Sequence, residues 1–205
     1  MPKPRSNPTP TPRSRFRFGD SIGSGGMGAV RHAARLDENG EVVDDRLAVK
    51  HLSDGLLASP EAVRRFKREV RLQRRLDHPN VMPVLGRNLS ASPPWFTMPL
   101  ADASLAQDIR ERGKRDLPWV VSAARQILAG VAHAHDHDVV HRDLKPPNVL
   151  RLGDVLKVAD FGLGKDLQED ATHLTRTNQR MGTSAYMAPE QFDDPKSVGK
   201  PADVY

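Results

Sequence analysis

Three side chains suited to phosphate chemistry lie within six residues of one another, in a segment that begins at His141 and reads HRDLKPPN. They are the carboxylate of Asp143, the ammonium of Lys145 and the amide of Asn148. A second carboxylate, Asp160, follows twelve residues after this amide, next to a glycine turn. Such groups, brought to one point, suit a nucleophilic hydroxyl, a polyphosphate and a divalent magnesium ion. The spacing therefore predicts phosphoryl-transfer chemistry.

A glycine-rich segment near the start of the chain is the next candidate for phosphate binding. Residues 23–30 read GSGGMGAV and lie between two expected strands. Glycines let a strand turn close to phosphates, where backbone N–H groups can donate. A Rossmann fingerprint would continue into a helix, and a Walker A loop would end in Lys-Ser or Lys-Thr. An ordinary hairpin loop is the remaining alternative to a phosphate-binding one.

A helix should position one further charged group. Ser59 and Pro60 are an N-cap and first-turn pair, and the helix is predicted to run to about Leu76. One half of its helical wheel is apolar and the other is basic, and the basic half is most simply a solvated face. Glu69 falls on the apolar half, where a carboxylate is costly unless a cation meets it. Lys50, at the end of the expected strand LAVK, is the natural partner.

Together, HRDLKPPN and the triplet DFG at residues 160–162 resemble the signature set of the eukaryotic-type (Hanks-type) protein kinases, in a bacterial-like form. The resemblance extends over about residues 16–205. It implies a two-lobed α+β fold, with a small antiparallel β-sheet lobe carrying one helix and a mainly α-helical large lobe. The expected segments are a disordered tail rich in proline and basic residues (1–14), the small lobe (15–98), a hinge (99–101) and a partial large lobe (102–205).

The resemblance also implies a catalytic role for five residues. Asp143 would accept the proton of the substrate hydroxyl, and Lys145 would offset charge on the transferred phosphoryl group. Lys50 would hold the α- and β-phosphates of the nucleotide and be oriented by Glu69. Thr183 would contact the two catalytic-loop residues, Asp143 and Lys145.

The implied cofactors are ATP and Mg²⁺ (or Mn²⁺), with the metal held by Asn148 and Asp160. Met98 would be the gatekeeper, and the backbone of residues 99–101 would bond the purine edge. Each apolar residue of this set could instead be a core residue. The implied nucleotide-binding residues are Ile22, Gly23, Ser24, Gly25, Gly26, Met27, Gly28, Val30, Ala48, Lys50, Met98, Leu100, Ala101 and Leu150.

Two segments indicate the substrate class. Lys145-Pro146 resembles the serine/threonine form of the catalytic loop, and GTSAY before Ala188-Pro189-Glu190 resembles the serine/threonine form of the segment that seats the acceptor. Protein substrates with Ser or Thr acceptors are therefore expected.

Regulation is suggested by the same resemblance. Thr175 and Thr177 occupy the place of an activating phosphorylation site, expected to be autophosphorylated. Arg65, Arg142 and Lys165 would form the cationic pocket for it. A Thr-rich solvated loop is the alternative.

Composition limits the partners. The net charge of +5 is carried by five cations upstream of Asp20, so we expect a disordered basic tail and no nucleic-acid partner, with docking of the tail on an acidic partner or a membrane surface as the alternative. The absence of cysteine fits a reducing interior, and no apolar run reaches the ~18 residues that a membrane span needs. We expect a cytoplasmic protein that acts on other proteins, with a kinase dimer as one arrangement open to it.

Two departures from the family pattern concern activity. Gln73 is polar where the family usually has an apolar residue, and it is expected to loosen the alignment of Glu69. The chain stops at Tyr205, where a long central helix capped by Asp203 should begin, so the large lobe is expected to be truncated. The alternative function is accordingly a weak or inactive kinase-like module that binds nucleotide or a partner kinase. A small-molecule kinase of similar fold is less favoured.

Overall fold

The computed structural model describes residues 15–25, 28–161, 184–193 and 198–205. Its strands are β1 (Arg15–Ser24), β2 (Gly28–Leu36), β3 (Val42–Leu52), β4 (Gly86–Asn88), β5 (Trp95–Pro99), β6 (Ala103–Ser104), β7 (Val149–Leu152) and β8 (Val155–Val158). Its α-helices are α1 (Pro60–Gln73), α2 (Leu105–Arg112), α3 (Leu117–Asp136) and α4 (Glu190–Asp193). Short 3₁₀ turns cover Asp54–Leu56, Pro146–Asn148, Ser184–Tyr186 and Lys200–Asp203.

An antiparallel sheet with strand order β1-β2-β3-β5-β4 forms the small lobe, as predicted. The alternation of β1 places Phe16 and Phe18 on one face, where both meet Trp95 edge to face at centroid distances of 5.5 and 5.2 Å. Apolar residues of the central strands join a core with α1, in which Phe66 packs against Phe96. This core fixes the helix against the sheet.

Helix α1 begins where the sequence predicts, because the Ser59 hydroxyl accepts from the N–H of Ala62 at 3.2 Å. It ends at Gln73, three residues before the predicted Leu76. There the N–H of Leu76 donates to the carbonyl of Gln73 at 3.1 Å, which is the tighter bonding pattern of a 3₁₀ turn.

The large-lobe elements surround α3 and a sheet of order β6-β7-β8. The β7–β8 hairpin turns at Gly153, whose φ of +60° suits glycine. The sequence prediction missed helix α2, although Ser104 and Gln107 form a full capping box at its start. In the described ranges, no helix combines the length and apolar character needed to cross a membrane.

Residues 80–82 join the two lobes after α1. The N–H of Val158 donates to the carbonyl of Asn80 at 2.9 Å, and the N–H of Met82 donates to the carbonyl of Val158 at 2.8 Å. The Asn80 side chain also donates to the carbonyl of Leu156 at 2.9 Å. This segment of the small-lobe range is therefore hydrogen-bonded to strand β8 of the large lobe.

Gly130 allows this junction, because a Cβ at Gly130 would lie 2.4 Å from the carbonyl oxygen of Asn80. We expect Gly130→Ala to lower the free energy of unfolding by about 1–3 kcal/mol, since backbone must move to admit the methyl group. Urea unfolding measures this loss. Gly55→Ala is the matched control, because a Cβ there has no neighbour within 4 Å. If Gly130→Ala and Gly55→Ala lowered the free energy of unfolding equally, the close contact between Gly130 and Asn80 would not be the cause of the loss.

Candidate active site

The Lys50 ammonium lies between two carboxylates. In the sheet register Lys50 of β3 is opposite Val30 on β2 and Phe96 on β5, so the two neighbouring strands fix its backbone from both sides. Its Nζ lies 2.6 Å from Asp160 Oδ1 and 3.5 Å from Glu69 Oε1. The structure thus brings the three predicted residues together, with the closer contact made to Asp160.

Burial and charge act in opposite directions on this cluster. Burial alone would lower the pKa of Lys50, but the carboxylates of Asp160 and Glu69 outweigh it and raise that pKa. Glu69 is only 1% exposed, and its Oε2 has no hydrogen-bond partner. Its burial exceeds the attraction of Lys50 and raises the pKa of Glu69 to about 7. Burial of the carboxylate therefore opposes the Lys50–Glu69 ion pair between α1 and β3.

We expect the apparent affinity for nucleotide to rise between pH 6 and pH 8, because Glu69 ionises as the pH passes its raised pKa and the carboxylate form attracts and orients Lys50. Folding stability follows the opposite sign. Glu69 holds its proton more tightly in the folded protein than in the unfolded chain. Its contribution to folding stability is therefore fully present below the unfolded pKa near 4.5 and is lost as the pH rises through the folded pKa of about 7. Binding titrations and urea unfolding at each pH measure the two trends. A Glu69→Gln variant that keeps both trends would show that another group titrates.

Asp143 is held by both catalytic-loop partners that the sequence predicts. Its Oδ1 accepts from Lys145 Nζ at 2.8 Å, and its Oδ2 accepts from Asn148 Nδ2 at 3.0 Å. The same amide nitrogen donates to the backbone carbonyl of Asp143 at 2.8 Å. Carboxylate, ammonium and amide therefore converge as expected.

One backbone hydrogen bond joins the two segments that carry the predicted metal ligands, Asn148 and Asp160. The N–H of Ala159, the residue before Asp160, donates to the carbonyl of Asn148 at 2.9 Å. The amide nitrogen of Asn148 is used by Asp143, so its Oδ1 is the atom that could face a cation. Asp160 adds a carboxylate, from a backbone with φ of +65°. An amide oxygen and a carboxylate are hard ligands of the kind that Mg²⁺ prefers, so the residues fit the implied metal.

His141 is fully buried and structural in its contacts. Its Nδ1 accepts from the N–H of Asp143 at 3.2 Å, so the proton lies on Nε2, which donates to the carbonyl of Ala159 at 2.9 Å. Its ring meets Phe161 edge to face at 4.8 Å. The imidazole thus ties the loop that carries Asp143 to the segment that carries Asp160.

Asp203 has a larger role than the helix cap that the sequence suggests. Its buried carboxylate accepts from the backbone N–H groups of His141 at 2.7 Å and Arg142 at 2.6 Å, and it lies 2.7 Å from His135 Nε2. Arg142 has a φ of +65°, a conformation that non-glycine residues rarely adopt. Asp203 therefore holds the catalytic loop in a strained conformation from 60 residues away.

Most of the predicted adenine-binding residues lie together. Ala48 pairs with Met98 across β3 and β5, and both belong to the core that Val30, Leu100 and Leu150 join from its edge. Ile22 is apart from this core and 45% exposed.

The hinge offers fewer donors than its length suggests. Pro99 has no N–H, and that of Leu100 donates to the carbonyl of Arg46 at 2.9 Å. The N–H of Leu100 is therefore already used within the fold, and the prediction that the backbone of residues 99–101 bonds the purine edge stays a prediction. Ala101 is left as the donor of the segment.

The described residues of the glycine-rich segment lie on strands β1 and β2 and between them. Gly23 and Ser24 end β1, and the N–H of Gly25 donates to the carbonyl of Gly28, the first residue of β2, at 2.8 Å. A Cβ at Gly28 would lie 2.7 Å from the carbonyl of His51 and 3.5 Å from Lys50 Cε. The space beside the lysine therefore depends on a glycine.

Two of the predicted regulatory cations lie within the described ranges. Arg65 is buried on α1, with its guanidinium 3.9 Å from Glu61, and Arg142 donates to the carbonyl of Val198 at 2.7 Å. The other predicted residues lie outside the described residues, namely Gly26, Met27, Lys165, Thr175, Thr177 and Thr183.

Comparison with known proteins is consistent with this geometry. A family model described as a protein kinase domain matches residues 16–205. The chain is 41% identical to the DNA damage-responsive serine/threonine-protein kinase RqkA of Deinococcus radiodurans, over 83% of this chain and 25% of that protein. It is 35% identical to the serine/threonine-protein kinase pkn3 of Myxococcus xanthus, over 83% of this chain and 32% of that protein. It is 32% identical to the serine/threonine-protein kinase PrkC of Bacillus subtilis, over 90% of this chain and 28% of that protein. The chain thus spans a quarter to a third of the length of these relatives.

Proposed function

The chain belongs to the protein kinase family, and we propose that it transfers the γ-phosphoryl group of ATP to serine or threonine hydroxyls of proteins in a magnesium-dependent reaction. The observation that carries this proposal is the paired arrangement of charges. Lys50 bridges Glu69 and Asp160, while Asp143 is held between Lys145 and Asn148. A cation for the nucleotide phosphates thus coexists with a carboxylate for the acceptor.

In the proposed reaction, the acceptor hydroxyl attacks the γ-phosphorus. A new oxygen–phosphorus bond forms as the bond to the β-phosphate oxygen breaks, and Asp143 accepts the hydroxyl proton. Lys145, 2.8 Å from that carboxylate, is placed to offset charge on the phosphoryl group. Asn148 and Asp160 would hold magnesium, which supplies charge neutralisation on the phosphates. The contribution of the protein is mainly positioning and electrostatics.

The acceptor class rests on the loop sequence and on the relatives. Lys145 and Pro146 give the serine/threonine form of the catalytic loop. The relatives named above are called serine/threonine-protein kinases, and this likeness supports the same class here. Autophosphorylation at Thr175 or Thr177, with Arg65, Arg142 and Lys165 as partners of the phosphate, is part of the proposal.

Transfer of ³²P from [γ-³²P]ATP to a generic basic protein tests the function. We expect transfer with Mg²⁺, its loss when the metal is chelated, and its return when Mg²⁺ is restored, because Asn148 and Asp160 are suited to a hard cation. Phosphoamino-acid analysis of the product should give phosphoserine or phosphothreonine. Nucleotide binding without transfer would support the alternative, a kinase-like binding module. Transfer that is unaffected by chelation would contradict the proposed metal ligands.

A further inference from the structure

Gln73, the last residue of α1, is a buried polar side chain that the proposed reaction does not use. It is 1% exposed, and its Nε2 donates to the carbonyl of Met82 at 2.8 Å. Its Oε1 is buried and has no hydrogen-bond partner. An amide that leaves one polar atom unsatisfied costs free energy that an apolar side chain of similar size would avoid. The hydrogen bond to the Met82 carbonyl is the interaction that offsets this cost.

That bond reaches the large lobe through Met82. The N–H of Met82 donates to the carbonyl of Val158 at 2.8 Å, and Val158 lies on β8 two residues before Asp160. Helix α1 is otherwise held by apolar packing, on the small-lobe sheet and, through Leu72, on the core cluster that contains Val158 and Phe161, and such packing is not directional. The Gln73 amide thus gives the end of α1 a directional link to the strand that precedes Asp160.

The contacts form a closed ring around the candidate site. Gln73 lies one helical turn after Glu69, whose Oε1 is 3.5 Å from Lys50 Nζ. Lys50 Nζ is in turn 2.6 Å from Asp160 Oδ1. The ring therefore has two cross-links to α1, the Lys50–Glu69 ion pair and the Gln73–Met82 hydrogen bond. The ion pair is the longer of its charged contacts, so it depends on the helix being held from elsewhere.

We propose that Gln73 is a positioning residue that holds Glu69 within reach of Lys50 by linking α1 to Met82 and, through it, to β8. This proposal rests on the proposed function for its kinetic consequences. It reverses the expectation that a polar side chain here loosens the alignment of Glu69. An apolar side chain would fill the space, but it would make no directional bond to the Met82 carbonyl.

A double-mutant cycle between Gln73→Leu and Glu69→Gln tests this role. Because Gln73 acts through Glu69, we expect Gln73→Leu alone to lower kcat/KM for ATP about 3- to 10-fold, the effect of one hydrogen bond. In the Glu69→Gln background the same substitution should have no further effect. Multiplicative losses in the double variant would overturn the proposal, because a general structural defect acts independently of Glu69.

A measurement without nucleotide separates this proposal from the proposed function. The pKa of the Glu69 carboxyl, followed by ¹³C NMR and assigned with Glu69→Gln, should shift in Gln73→Leu, since its burial, the larger cause of its raised pKa, and its distance from Lys50 both depend on where α1 holds it. Arg74→Leu, an exposed change on the neighbouring residue, should leave it unchanged. An unchanged pKa in Gln73→Leu would overturn the positioning role even if the protein proves to be an active kinase. Conversely, a shifted pKa in a protein without transfer activity would reject only the proposed function.

Discussion

Replacing Asp143 with Asn should lower kcat for protein phosphorylation about 100-fold or more, the range typical for loss of a general base. The substitution keeps the size of the side chain but removes the group that accepts the hydroxyl proton. Because Lys145 and Asn148 both donate to this carboxylate, an amide can satisfy only part of their bonding. The measurement is steady-state phosphorylation of a generic basic protein at saturating ATP.

Two comparisons show whether the loss is chemical. The affinity for magnesium nucleotide should stay within about threefold of wild type, because Asp143 is assigned to the acceptor and not to the metal. Asp154→Asn, an identical change on the exposed β7–β8 turn, should leave kcat unchanged. If Asp143→Asn kept wild-type kcat, another group would have to accept the proton.

The parts of the site that the sequence predicted share a local signal. Asp143, Lys145 and Asn148 fall within six residues, so their convergence needs only one loop. Glu69 was identified because a carboxylate on an apolar helix face requires a cation, and the structure places Lys50 beside it. In each case the position of the residue could be predicted either from a short segment or from a side chain that is unfavourable at its position without a partner.

The parts that were missed depend on long-range contacts. Asp203 holds the backbone of a loop some 60 residues earlier in the chain, and no local pattern marks an acid for that task. The link from Gln73 to Met82 to Val158 likewise depends on how two lobes pack. Helix α2 is different, since its capping box at Ser104 was present in the sequence and was overlooked.

The residues of the predicted adenine site depend on signals of different range. Cross-strand register brings Ala48 and Met98 together, which follows from two apolar strands in one antiparallel sheet. The use of the Leu100 N–H by the carbonyl of Arg46 depends on where β5 ends against β3. Sequence patterns predict strands more reliably than the bonding of single N–H groups at strand ends.

Replacing Lys50 with Met should lower kcat/KM for ATP about 100-fold or more, comparable to the loss of a preorganised charge donor at other active sites. It should also destabilise the fold. Glu69 then remains 1% exposed without its cation and close to a second carboxylate, Asp160. Removing one partner of a buried ion pair costs about 3–5 kcal/mol, and protonation of Glu69 would offset part of this. Phosphorylation kinetics and urea unfolding at pH 8 measure the two effects.

The double variant Lys50→Met/Glu69→Gln separates stability from activity. A neutral amide no longer needs the cation, so we expect most of the lost unfolding free energy to return. Phosphorylation should not return, because no group replaces the ammonium at the nucleotide phosphates. Recovery of both would mean that the single variant is inactive only because it unfolds. Recovery of neither would mean that Lys50 stabilises the fold mainly through Asp160, its closer partner at 2.6 Å.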